Sequence, residues 1–139
     1  MTIPLWVLLA FAVWTLLVLL GTVGVYRWSR ILTRRAQITD FPPTDAQGAG
    51  WYQRAMRAHA NCLENLPVYG AIAIVAWIAK VDTPTMDMLA IVLIAARVIQ
   101  TIIHVSLSPT NTVTAMRFAA FITQIICMLW MATLIILRA

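Results

Sequence analysis

Four long apolar segments alternate with shorter polar stretches along the chain. They cover residues 3–26, 52–79, 86–106 and 113–137. Each reaches the roughly 20 residues that an α-helix needs to cross a hydrocarbon core about 30 Å thick. Backbone groups in lipid must be satisfied internally, and none of these segments has the alternating polarity of a β-barrel strand. The pattern therefore predicts an all-α integral membrane protein built as a four-helix bundle.

The polar stretches between the segments carry turn and capping signals. Residues 40–50, with the sequence DFPPTDAQGAG, are rich in proline and glycine and predict a loop. Before the third segment, Thr83 is the expected N-cap, and Pro84 is expected in the first helical turn. We therefore expect one domain over residues 1–139, with a long basic loop over residues 27–51.

The composition supports a membrane protein. Hydrophobic residues make up 62% of the chain, charged residues make up 11%, and the mean hydropathy is +0.86. Soluble domains have about 45–50% apolar and about 25% charged residues. The formal net charge is +5, but the basic residues lie beside the apolar segments, which favours membrane lipids over nucleic acid as partners. Cys62 and Cys127 lie in apolar segments without CxxC spacing, so neither a disulfide nor a metal site is indicated.

The arginines predict an orientation in the membrane. Six of the ten basic residues lie in or beside the first loop: Arg27, Arg30, Arg34, Arg35, Arg54 and Arg57. Arg117 opens the fourth segment, whereas Lys80 in the second loop is offset by acidic neighbours. The positive-inside rule then places the first and third loops in the cytosol and both termini on the other side. Arg54 is expected mainly as a lipid-contacting anchor of this topology.

The second segment carries a polar stripe near its start. Arg57, Asn61 and Glu64 are separated by four and then three residues, which places them on one face of a helix. Ionisable groups inside a membrane segment are costly and usually functional. Because the helices alternate in direction, Arg27 at the end of the first segment and Arg117 in the fourth reach the same membrane face. We therefore expect a site at the cytosolic end of the bundle.

The third segment carries a second stripe, formed by Arg97, Gln100 or Thr101, and His104. Glu64 lies seven residues beyond Arg57, and Arg97 lies seven residues before His104, so both are about 10 Å below the interface. An unpaired charge at that depth costs at least about 2.5 kcal/mol, and the spacing therefore predicts an ion pair between Glu64 and Arg97. Such a pair has two interpretations: it belongs to a ligand site, or it only fixes the helix register.

Several arginines together with one asparagine and one glutamate form a candidate site for an acidic ligand. Arginine binds carboxylates through two parallel hydrogen bonds. Glu64 suits an α-amino group, and Asn61 suits a peptide bond or a carboxylate. A small zwitterionic peptide with two carboxylates, such as glutathione, fits this set. Arg117 is the candidate catalytic residue, because a guanidinium near a thiol favours the nucleophilic thiolate.

The sequence RAHANCLENLP, residues 57–67, resembles the second-helix signature of the MAPEG family, the membrane-associated proteins of eicosanoid and glutathione metabolism. The resemblance extends to the chain length, the four helices, the basic first loop and the arginine early in the fourth helix. It is strongest to the bacterial-type members. It implies a homotrimer in a bacterial inner membrane, with glutathione as a co-substrate bound between subunits near the cytosolic face.

The resemblance also implies roles for individual residues. The expected glutathione-binding residues come from the first, second and third helices: Arg27, Arg57, Asn61, Glu64, Arg97, Gln100 and His104. Arg117 is expected to activate the thiol. Prostaglandin synthase-like members have an arginine in place of Ala60, and the family's tyrosine near the end of the third helix is His104 here. Eicosanoid synthesis is therefore not implied.

Three functions are compatible with this sequence. The first is a glutathione-dependent membrane transferase or peroxidase, whose lipophilic electrophiles reach the thiolate from the bilayer. The second is a non-catalytic MAPEG-fold protein that binds a lipid or a protein partner. The third is a small multidrug transporter, and it ranks last. Such transporters carry their essential glutamate in the first helix and have few arginines on the cytosolic side.

Overall fold

The computed structural model describes residues 1–42 and 48–138. This part of the chain contains four long helices: α1 (Ile3–Leu32), α2 (Gly50–Ile78), α3 (Pro84–Ser106) and α4 (Asn111–Arg138). All four are long and apolar enough to cross a membrane. The chain is therefore an all-helical, multi-pass membrane protein, as the hydrophobic pattern predicts.

The helices pack as a bundle in which neighbours in sequence run in opposite directions. α3 and α4 have the most extensive contact, and α1 packs on both α2 and α3. As a result, the end of α1, the start of α2, the end of α3 and the start of α4 meet at one end, which we call the basic end. The buried core between the helices includes large apolar side chains and both free cysteines: Phe11, Tyr69, Met86, Leu93, Met131, Cys62 and Cys127.

Short polar turns before the helices set where they begin. The Thr83 hydroxyl oxygen accepts a hydrogen bond from the Met86 backbone N–H at 3.3 Å, and Pro84 occupies the first turn of α3, as predicted. The Thr110 hydroxyl accepts one from the Val113 N–H at 3.2 Å before α4. α2, α3 and α4 each begin two residues before the predicted apolar segments, and a side-chain hydrogen bond caps the starts of α3 and α4. Of the predicted loop, residues 43–47 lie outside the described part of the chain.

α1 differs most from its predicted segment, because it continues to Leu32 rather than ending at residue 26. A helix of 30 residues is about 45 Å long, which exceeds the roughly 30 Å of a hydrocarbon core. Its last turns, with Arg27 and Arg30, therefore reach beyond the apolar layer. There, polar side chains continue the helix without entering lipid.

A π-helical turn over Leu19–Gly24 interrupts α1 and changes which side of it is buried. Before the turn, buried residues recur in steps of three or four: Val7, Phe11, Thr15 and Val18. The next buried residue is Val23, a step of five, which matches the i→i+5 bonding of a π-helix. After the turn, Tyr26 and Arg27 face α2, where both contact Tyr52.

An aromatic cluster fastens the first loop to the basic end. Tyr26 stacks on Tyr52 with ring centroids 4.2 Å apart, and it meets Trp51 edge-on at 5.3 Å. The Tyr26 hydroxyl oxygen accepts a hydrogen bond from the Ala49 N–H at 3.3 Å. Gly48 adjoins this hydroxyl with φ at +132°, a backbone conformation that favours glycine.

Gly48→Ala is expected to destabilise this attachment. A Cβ on Gly48 would lie 2.5 Å from the Tyr26 hydroxyl oxygen, and the positive φ adds backbone strain. We expect the free energy of unfolding to fall by about 1–3 kcal/mol, measured as a lower thermal midpoint in detergent. Gly21→Ala is the matched control, because no atom beyond its chain neighbours and the backbone of its own helical turns lies within 4 Å of a Cβ there. Equal midpoints for the two variants would contradict the proposed contact.

Candidate functional site

Polar side chains link all four helices at the basic end. Arg27 reaches from α1 to α2. Arg54 Nε donates to the Val105 carbonyl oxygen at 3.3 Å, which connects α2 to α3. Gln100 Nε2 donates to the Arg117 carbonyl oxygen at 3.2 Å, which connects α3 to α4. The convergence expected from the helix directions is therefore present in the folded chain.

Three arginines at this end act electrostatically on the buried His104. It is 4% exposed, and the positive charges of Arg117, Arg57 and Arg54 all act on its imidazole. Within the described residues, 1–42 and 48–138, no carboxylate forms an ion pair with any of the three guanidinium groups. The sequence predicts Arg54 as a lipid-contacting anchor. Its electrostatic effect on His104 results from the packing of α2 against α3. An excess of positive charge of this kind attracts anionic ligands.

Arg97 is buried in the bundle without the partner that the sequence predicted. It is 1% exposed, its Nε and Nη2 have no hydrogen-bond partner, and its guanidinium carbon lies 5.4 Å from the centroid of the Phe11 ring. Glu64 acts on it only electrostatically and forms no ion pair with it. The predicted Glu64–Arg97 ion pair is therefore not formed within one chain.

The missing ion pair has a geometric cause. Cys62 is 0% exposed and faces the bundle interior. Glu64 follows it by two residues, and each residue turns an α-helix by about 100°. Glu64 therefore points to the outer side of α2, where it is exposed. The two charges match in depth along the membrane but not in direction around the helix.

The signature residues of α2 share one face, and that face lies on the outside of the single chain. Arg57 and Glu64 are exposed, and Asn61 is half-buried. Ala58 and Cys62 occupy the inward face instead. The candidate residues therefore form two layers, an outer one on α2 and an inner one on α3.

Arg27 is held by contacts within the chain. Its Nε donates to the Tyr52 hydroxyl at 2.8 Å, and its Nη2 donates to Met56 Sδ at 3.3 Å. The guanidinium carbon also lies 5.5 Å from the centroid of the Phe41 ring. These contacts fix the charge of Arg27 at the rim of the basic end.

Gln100 is buried, and both ends of its amide are bonded. Its Nε2 bonds to α4 as described, and its Oε1 accepts a hydrogen bond from Gln124 Nε2 at 2.9 Å. Gln124 is 1% exposed and was not among the residues expected from the sequence. The available signal was an amide inside an apolar helix, seven residues after Arg117, since polar groups in membrane helices tend to bond across helices.

The comparison with known families covers nearly the whole chain. The model of the MAPEG family matches residues 4–137. This chain belongs to the MAPEG family. No curated protein and no solved structure matches the MAPEG chain. The matched range includes every candidate residue, so the likeness of the α2 signature extends to the full bundle.

The two layers of the MAPEG site differ in what they can do chemically. The outer layer offers a guanidinium, an amide and a carboxylate to a ligand that reaches α2 from outside. In the inner layer, His104, Gln100 and Arg97 are 4%, 6% and 1% exposed. Arg117 is half-buried, and its backbone carbonyl oxygen accepts a hydrogen bond from Gln100 of the inner layer.

Proposed function

We propose that this MAPEG protein is a glutathione-dependent membrane transferase or peroxidase that acts on lipophilic electrophiles. Members of the family are mostly enzymes of these two kinds. The observation that carries the proposal is the set of three guanidinium groups at the basic end that act electrostatically on His104, without a carboxylate partner in the described residues. An acidic ligand would balance this charge, and glutathione brings two carboxylates.

The proposed binding mode uses the outer layer first. The planar guanidinium of Arg57 binds one carboxylate of glutathione, and Arg27, at the rim of the basic end, binds the other carboxylate. Glu64 accepts a hydrogen bond from the α-amino group, and Asn61 bonds to a peptide group. The inner residues Arg97, Gln100 and His104 support this layer from behind. The same proposal places the basic end in the cytosol of a bacterium, following the positive-inside rule.

Arg117 is proposed to stabilise the glutathione thiolate, which is the nucleophilic form of the sulfur. In conjugation, the sulfur forms a bond to the electrophilic carbon, and the leaving group departs with its bonding electron pair. In peroxide reduction, two glutathione molecules are oxidised to the disulfide, while the hydroperoxide is reduced to an alcohol and water. Both reactions begin from the same thiolate, so one residue serves either.

The proposal includes a homotrimer with glutathione bound between subunits. Glu64 is exposed on a helix that crosses the membrane, and a carboxylate facing lipid is costly. A second copy packed on α2 would remove that exposure. The exposed face continues along α2 with small and β-branched residues: Ala60, Val68, Ala71, Val75 and Ile78. Small residues at such spacing allow membrane helices to approach closely.

Calorimetry with glutathione tests this proposal. We expect binding by the purified protein and at least about tenfold weaker binding by Arg57→Ala and by Glu64→Gln. Hydrogen bonds to charged groups contribute about 1.5–3 kcal/mol, and tenfold corresponds to about 1.4 kcal/mol. Arg35→Ala is the matched control, because Arg35 is an exposed arginine outside the two layers. No heat of binding from the unsubstituted protein would reject the proposal in favour of a non-catalytic MAPEG-fold protein.

A further inference from the structure

A pair of buried glutamines connects α3 to the part of α4 that carries Arg117. Gln124 Nε2 donates to Gln100 Oε1 at 2.9 Å, and Gln100 Nε2 donates to the Arg117 carbonyl oxygen at 3.2 Å. Gln124 Nε2 also donates to the Ala120 carbonyl oxygen at 2.9 Å. The two amides are 1% and 6% exposed, so neither water nor lipid headgroups compete for these bonds.

We propose that Gln124 is a positioning residue for Arg117 and acts through Gln100. This inference rests on the proposed function, in which Arg117 stabilises the glutathione thiolate. The position of the guanidinium depends on how far α4 is rotated and shifted against its neighbours. Apolar packing further along α4, at Cys127, Met128 and Met131, is not directional. Hydrogen bonds weaken steeply when their angles change, so the glutamine pair sets the rotation that the apolar contacts leave open.

Charge repulsion among the arginines explains why Arg117 must be held in position. Arg54 and Arg57 on α2 and Arg117 on α4 all act electrostatically on His104, and their like charges repel one another. α4 packs extensively on α3 but only slightly on α2. The hold of α3 on α4 is therefore what keeps Arg117 near the other two arginines before an anionic ligand arrives.

A purely structural role predicts a different set of measurements. When one partner of a buried hydrogen bond is removed, the other is left unsatisfied, whereas removal of both partners can be nearly neutral for stability. If Gln124 served stability alone, the second substitution would restore function together with stability. If it positions Arg117, the second substitution would restore stability only.

The test compares Gln124→Leu with the double variant Gln100→Leu/Gln124→Leu. For Gln124→Leu we expect a lower thermal midpoint, a KM for glutathione raised about three- to tenfold, and less thiolate in the bound glutathione by ultraviolet absorbance. For the double variant we expect the thermal midpoint to recover while the KM and the thiolate signal do not. Thr123→Val is the control, because the Thr123 hydroxyl donates only to the Ala119 carbonyl oxygen within α4, at 2.9 Å.

The outcomes separate this inference from the function on which it rests. A thiolate signal that Gln124→Leu leaves unchanged would overturn the positioning role and leave the proposed function standing. Recovery of KM and thiolate in the double variant, together with the thermal midpoint, would also overturn it. If the unsubstituted protein shows no thiolate signal with glutathione, the proposed function fails, and this inference fails with it.

Discussion

Arg117→Ala is expected to lower the rate of glutathione conjugation to 1-chloro-2,4-dinitrobenzene by about 100-fold or more. Removal of one group that stabilises a reacting anion typically costs about 10²–10³ in kcat. The fold should persist, because Arg117 is half-buried and its bond to Gln100 uses the backbone carbonyl, which alanine keeps. The absorbance of the conjugate measures the rate, and circular dichroism checks the helices.

Two further variants sharpen this result. Arg117→Lys keeps the charge but loses the planar guanidinium, so its activity should lie between that of the unsubstituted protein and that of Arg117→Ala. Arg138→Ala removes an exposed arginine at the opposite end of the same helix and should leave the rate unchanged. An Arg117→Ala protein with full activity would remove Arg117 from the mechanism.

Arg97→Met is expected to stabilise the protein, in contrast to most substitutions of buried residues. The guanidinium is 1% exposed, and its Nε and Nη2 have no hydrogen-bond partner. Replacement of a buried charged group by a hydrophobic one of similar volume can raise the free energy of unfolding by about 1–4 kcal/mol. Thermal unfolding in detergent measures the change, and calorimetry with glutathione shows whether the stabilised variant still binds.

Arg97→Lys is the control for this variant. Lysine keeps the buried charge but lacks the planar group that lies over the Phe11 ring, so no stabilisation is expected. A loss of about 3–5 kcal/mol in Arg97→Met would show instead that Arg97 is paired in the assembled protein. Glu64 of a neighbouring copy would then be the first residue to test as its partner.

The fold is largely predictable from the sequence, because a bilayer places strict demands on what crosses it. Four apolar runs of sufficient length are enough to predict four helices. The Thr83 and Pro84 cap is equally local, since both of its components lie within one turn. The extension of α1 to Leu32 was not predicted, because polar residues outside the hydrocarbon core carry no hydropathy signal.

The candidate site is only partly predictable, and Glu64 shows why. Counting residues gives depth along a helix and the neighbours that share its face, and Arg57, Asn61 and Glu64 do share one. Which direction that face takes depends on contacts with other helices. The packing of Cys62 against the bundle turns Glu64 outward, and no spacing rule contains that information. Gln124 was missed for the same reason, since its partner lies on another helix.

The five-residue step from Val18 to Val23 rotates the second half of α1 about the helix axis relative to the first half. An α-helix turns about 100° per residue. Without the π-helical turn, the Arg27 side chain would therefore be rotated by about 100° around the helix axis, away from the Tyr52 hydroxyl. One extra residue thus changes the direction of the side chains at the basic end of α1, while the membrane-embedded half keeps its packing. When this chain is aligned with a relative that lacks the extra residue, position numbers after Val18 shift by one. A correct match for Arg27 then requires a one-residue gap within α1.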